Sequence, residues 1–174
     1  MKKKIFALAL LCAFSFGLAS CGENSSNSES HIENGAFTCT PQEIIDDINA
    51  HVEQAGTDEY YSCDPFVSSG ESIFTSDEWS RVILEFETDQ DSNITYCQLY
   101  WSSAFPIDNA VATAGLYSTV LLNTLSPDNS DDILDRITEI VVSGHGTAQY
   151  DENGVTVEFT NSSFKNWLEI SVSE

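Results

Sequence analysis

Positive charge is nearly missing from this sequence. Six Lys and Arg side chains stand against 28 Asp and Glu over 174 residues, a net charge of −22, so a phosphate backbone would be repelled and nucleic-acid binding is excluded as a role. Long apolar stretches are also lacking: the run Ile5 to Leu18 falls short of the roughly 20 residues that a membrane-spanning helix needs. The nine glycines sit at turns and helix ends and form neither a phosphate-cradling loop nor a dinucleotide fingerprint, and no nucleophile elbow occurs. His and Cys never come in the close pairs that a zinc site uses, so no cofactor is implied. What remains is a hydrophobic fraction of 41%, enough apolar material for one globular core.

The chain begins with Lys2, Lys3 and Lys4, continues through the apolar run Ile5 to Leu18, and reaches Leu18-Ala19-Ser20-Cys21, the layout of an export signal. This segment resembles the lipobox signal of bacterial lipoproteins, over residues 1–21 only. The resemblance implies cleavage before Cys21 and a thioether-linked diacylglycerol on its sulfur. At least two acyl chains then make anchoring stable, which places the protein on the cell membrane or outer membrane, facing away from the cytoplasm. Cys21 is on this reading an anchor and not a catalytic thiol. Residue 22 is Gly, not the aspartate that commonly retains such proteins in an inner membrane. Every acid lies beyond residue 21, so loss of the three leader lysines takes the net charge from −22 to −25. The division that follows is a signal peptide over 1–20, a lipidated Cys and flexible Ser/Asn/Glu-rich tether over 21–35 with His31 solvated, and a single acidic α+β domain over 36–174.

Thr40, Pro41 and Glu43 form a capping box at the head of a helix over 41–55, whose Ile44, Ile45, Ile48, Val52 and Ala55 share one side. Strands follow at 60–67, 72–75, 81–88 and 94–101, the last two joined as a hairpin through Asp89 to Asn93. Two helices come next, one from near Pro106 to Leu125 and one capped by Ser130 that runs to Gly144. Three strands end the chain, at 147–150, 155–160 and 167–172, the first two turning at Glu152-Asn153-Gly154. The order α-ββββ-αα-βββ predicts an α+β fold: an antiparallel sheet with three helices packed on one face, loosely resembling cystatin-like folds.

With Cys12 in the signal segment and Cys21 assigned to the lipid, Cys39, Cys63 and Cys97 remain, which permits one disulfide and one thiol or three thiols. A helix over 41–55 travels roughly 22 Å, and an extended return of roughly 3.3 Å per residue brings Cys63 level with Cys39, so a Cys39–Cys63 bond is the favoured pairing and Cys97 is read as a small buried hydrophobe. His51 lies beside the core residue Val52, and His145 lies between two glycines in a helix-capping loop. Asp89, Asp91 and Asn93 match the start of an EF-hand loop, but Ile94 and Tyr100 stand where glycine and glutamate are required. Asp128, Asp131 and Asp132 gather at a helix start, where the helix dipole favours negative charge; they are weak candidates for a divalent cation.

The aromatic residues carry the most definite functional expectation. Tyr100 and Trp101 are neighbours in one strand and point to opposite sheet faces, and Trp167 is out of phase with Leu168, Ile170 and Val172. Trp167 together with Tyr100 or Trp101 is therefore the candidate binding surface on the face away from the helices. The resulting expectation is a membrane-anchored envelope lipoprotein with a non-catalytic domain that binds a protein or glycan through its sheet face. Two alternatives stand beside it: an envelope hydrolase using acidic residues, which needs convergent carboxylates or His145 with one of them, and an acidic module that responds to divalent cations.

Overall fold

A computed structural model describes residues 31–55, 66–70, 72–76, 82–102, 107–162 and 165–173. The signal peptide, Cys21, Cys63 and with it the Cys39–Cys63 pairing, and most of the strand expected at 60–67 lie outside the described residues. The elements run β1 (Ile32–Glu33), β2 (Ala36–Phe37), α1 (Pro41–Ala55), β3 (Val67–Ser68), β4 (Ile73–Thr75), β5 (Val82–Thr88), β6 (Ile94–Ser102), α2 (Ile107–Leu125), a 3-10 turn (Pro127–Asn129), α3 (Ser130–Ser143), β7 (Gly146–Glu152), β8 (Val155–Asn161) and β9 (Lys165–Val172). The fold is α+β, with the four strands, two helices and three strands after α1 that the sequence order predicts.

The start of α1 follows from its capping box. The Glu43 carboxylate accepts the Thr40 N–H at 2.8 Å and the Thr40 hydroxyl at 2.9 Å, and the Glu43 N–H donates to Thr40 Oγ1 at 3.4 Å. Two amide groups that a helix leaves without partners are thereby satisfied. Thr40→Ala is expected to cost about 1 kcal/mol, read as a lower thermal midpoint with an unchanged circular-dichroism spectrum. Ile44, Ile45, Ile48 and Val52 are all buried. From the same helix Asn49 clamps the chain ahead of β3, donating to the Phe66 carbonyl at 3.0 Å and accepting its N–H at 2.7 Å.

Two corrections concern the N-terminal side of the domain. Residues 32–37, placed partly in the tether, form the β1–β2 hairpin across Asn34 and Gly35, both at positive φ (54° and 81°), the backbone that a tight Asn-Gly turn demands. Ile32 packs on the core and lies 3.3 Å from where a Cβ on Gly154 would sit. His31 is half-buried rather than solvated: its carbonyl accepts the Thr38 N–H at 2.9 Å, and its Nε2 is buried. A third correction is small. Asn129, not Ser130, is the N-cap of α3, and Ser130 is its first residue.

Seven strands form one antiparallel sheet in the order β3-β4-β5-β6-β9-β8-β7. The helices α2 and α3 bridge β6 to the far edge strand β7, and the chain then returns through β8 to insert β9 beside β6. One face meets the helices: α2 packs on α1, α3 and β6, and α3 on β7 and β8. Its side chains lie in register across strands, with Leu84, Leu99, Leu168 and Phe159 in one row and Phe86, Cys97, Ile170 and Val157 in the next, all buried. These rows and the apolar sides of the helices form one core. No helix among the described residues is long and apolar enough to cross a membrane.

Candidate functional site

The opposite sheet face is built by the residues that alternate with the core rows. Three rows cross it. The first carries no charge and spans every strand: Val67, Thr75, Ile83, Tyr100, Trp167, Thr160 and Thr147, each paired with the next. The second runs Ile73, Glu85, Gln98, Glu169, Glu158, Gln149. The third runs Glu87, Tyr96, Ser171, Thr156, Asp151. Apart from Thr75, none of these side chains is buried, in contrast to the core rows one residue away along each strand.

Tyr100 and Trp167 share this face and are direct cross-strand neighbours on it, both half-buried. Directly opposed residues lie about 4.5–5.5 Å apart at Cα, so the two residues form one aromatic ledge across β6 and β9. Trp101 does not belong to it. It is 1% exposed on the helix side, its ring stacked on Phe159 with centroids 5.9 Å apart and planes at 24°. The candidate surface is thus Tyr100 and Trp167 without Trp101. Sequence reasoning passed over the carboxylates beside the ledge, because only the strand order brings Glu158 opposite Glu169.

A hydrogen-bonded trio anchors the middle of the face. Glu169 Oε1 accepts the Tyr96 hydroxyl at 2.7 Å and Gln98 Nε2 at 2.6 Å, and Gln98 Nε2 also donates to the Tyr96 oxygen at 3.0 Å. Burial first, then the hydrogen bond to Glu169 and its charge, push the Tyr96 hydroxyl well above its ordinary value of 10.0. Because the folded value is the higher one, the associated stabilisation is complete below about pH 10 and is lost as pH rises beyond it. In an absorbance titration at tyrosinate wavelengths, Tyr96 is expected to be among the tyrosines whose ionisation is delayed past pH 10, with Tyr150 also shifted upward by burial, and Tyr96→Phe to reduce the delayed amplitude by one tyrosine.

The other candidates lie away from this face. Asp89 builds the β5–β6 turn: its carboxylate accepts the Asp91 and Asn93 N–H groups, each at 2.9 Å. Asp131 and Asp132 occupy the first turn of α3, where the helix dipole favours them; the Asp128 side chain lies outside the described residues. Among the described residues no group of three His, Cys, Asp or Glu side chains is placed to hold a metal ion. His51 Nδ1 lies 2.8 Å from the Asp47 carbonyl. His145 is exposed beside Gly144, which caps α3 in the left-handed conformation. A hollow beside α1 is lined by Asp46, Asn49, Ala50, Val52 and Glu53, and the Asp46 carboxylate there accepts Gln42 Nε2 at 2.8 Å.

Compared with protein-family models, with curated proteins and with solved structures, the chain matches none.

Proposed function

We propose that this is a lipid-anchored envelope protein whose domain is a non-catalytic binding module, with the helix-free sheet face as its contact surface. The anchor rests on the lipobox-like segment ending at Cys21. The observation that carries the binding reading is the direct pairing of Tyr100 with Trp167 in an uncharged row that crosses all seven strands. A sheet face with only a structural task carries scattered polar side chains; paired aromatic rings instead offer flat, partly desolvated area to a ligand. Across six interstrand gaps of about 4.8 Å the row is roughly 29 Å long, the scale of an extended chain and not of a small metabolite. Four of the five acids of the face are exposed, and the half-buried Glu169 is tied to Tyr96 and Gln98, which weighs against the hydrolase alternative with its need for a carboxyl in an apolar cleft.

Two measurements on the full chain test the proposal. Wild-type protein sediments with membranes and Cys21→Ala does not; release of neither, or of both, removes the anchor. On an array of envelope oligosaccharides and of basic and acidic peptides, wild type binds at least one class and the Tyr100→Ala/Trp167→Ala variant loses that binding at least tenfold. Undiminished binding by the variant, or turnover of a bound compound, overturns the module reading.

A further inference from the structure

Resting on the reading of this face as a contact surface, we infer that its occupant is an extended basic segment of a partner protein, rich in Arg and Lys. Charge complementarity favours such a segment. Glu85, Glu87, Asp151, Glu158 and Glu169 all belong to the second and third rows, and among the described side chains of the three rows there is no Lys, Arg or His. Four of these acids are exposed and Glu169 is half-buried, so the field they make is open to solvent and to a ligand.

The pairing within the second row favours a cation as well. Glu158 and Glu169 stand directly opposite each other on β8 and β9, where like charges oppose sheet formation. Thr or Lys at position 158 would pair with Glu169 at lower cost. A guanidinium or ammonium group between the two carboxylates turns that repulsion into a shared ion pair.

The neighbouring aromatic row points the same way. Consecutive rows are two residues apart along a strand, about 6.7 Å, so an Arg or Lys side chain that reaches Glu169 lies beside Trp167 of the same strand, while Glu85 and Glu158 flank the aromatic pair one strand away on either side. Those rings accept both the methylene stem and the cationic head. Neither an anionic glycan nor an anionic lipid surface offers that match, and a neutral glycan uses the rings but gains nothing from the acids. The row length of roughly 29 Å corresponds to about eight or nine extended residues, which sets the size of the segment.

The test uses the full chain in detergent micelles and a fluorescein-labelled peptide of ten arginines, with binding read by anisotropy at low and at physiological salt. Glu85→Gln/Glu158→Gln is expected to weaken binding at least tenfold, and Trp167→Ala several-fold. Asp131→Asn/Asp135→Asn on α3, which removes the same charge from the helix layer, is expected to stay within twofold of wild type. Thermal unfolding confirms that each variant is folded. Equal weakening by the two charge-neutralised variants overturns the inference, since attraction is then a property of the whole acidic chain and not of this face. Binding of N-acetylglucosamine oligomers that depends on Trp167, with no site-specific arginine binding, overturns the basic partner and leaves the contact face standing. If Trp167→Ala changes neither ligand, both readings fall.

Discussion

Trp101→Ala is expected to destabilise the fold by about 3–5 kcal/mol, whereas Trp167→Ala is expected to cost about 1 kcal/mol or less. The two residues are both tryptophans in adjacent central strands, and what separates them is the sheet face. Trp101 is 1% exposed and stacked on Phe159, so its removal leaves a cavity between the sheet and the helices that the surrounding Val82 and Asn166 row cannot close. Trp167 stands on the outer face beside Tyr100 and Thr160, where water fills the space that its ring vacates. For a domain of this size the first substitution corresponds to a thermal midpoint lower by roughly 10 to 20 °C. Parallel melts of the two variants check the prediction, and similar midpoints would mean that the outer face is packed and not a contact surface.

The same two residues show where sequence reading was sufficient and where it stopped. Alternation in β5, β8 and β9 assigns Leu84 and Phe86, then Val157 and Phe159, then Leu168 and Ile170 to the core face, because a glutamate separates the members of each pair. In β6 both faces carry aromatic rings, and the choice between Tyr100 and Trp101 stayed open. Gln98 held the answer, being in phase with Tyr100 and out of phase with Cys97, Leu99 and Trp101, all of which are buried. Ile94 hides this phase. It is buried although two residues ahead of Tyr96, since the register shifts between Glu87 and Thr88, and such a bulge has no fixed sequence mark. The Asn34-Gly35 hairpin was legible, as its turn residues match those at Asn153-Gly154, but the polar stretch before it drew the pair into the tether. Which acids would meet was not legible at all. Glu158 faces Glu169, and Tyr100 faces Trp167, only because β9 inserts between β6 and β8, a long-range choice that local pattern does not encode.

Cys97 is expected to resist alkylation in the folded protein by a factor of about a thousand or more relative to the unfolded chain, a contrast set by the opening equilibrium of the domain. The thiolate is the reacting species, and burial of Cys97 at 0% exposure raises its pKa well above the ordinary value near 9, the neighbouring Cys39 adding to the shift. Its neighbours in the row, Phe86 and Ile170, give an attacking reagent no approach without separation of sheet and helices. At a typical stability of about 5 kcal/mol the open state is populated at only about one part in several thousand. The folded pKa is the higher one, so the stabilisation tied to this group is complete below about pH 9 and is lost as pH rises past that value; labelling should therefore accelerate steeply on the alkaline side. Timed iodoacetamide quenches at pH 7 and pH 10, with the modified Cys97 peptide quantified by mass spectrometry in buffer and in guanidinium, measure both effects. Rapid labelling at pH 7 in buffer would place Cys97 on an accessible surface and reverse the assignment of the two faces of β6, and with it the location of the contact surface.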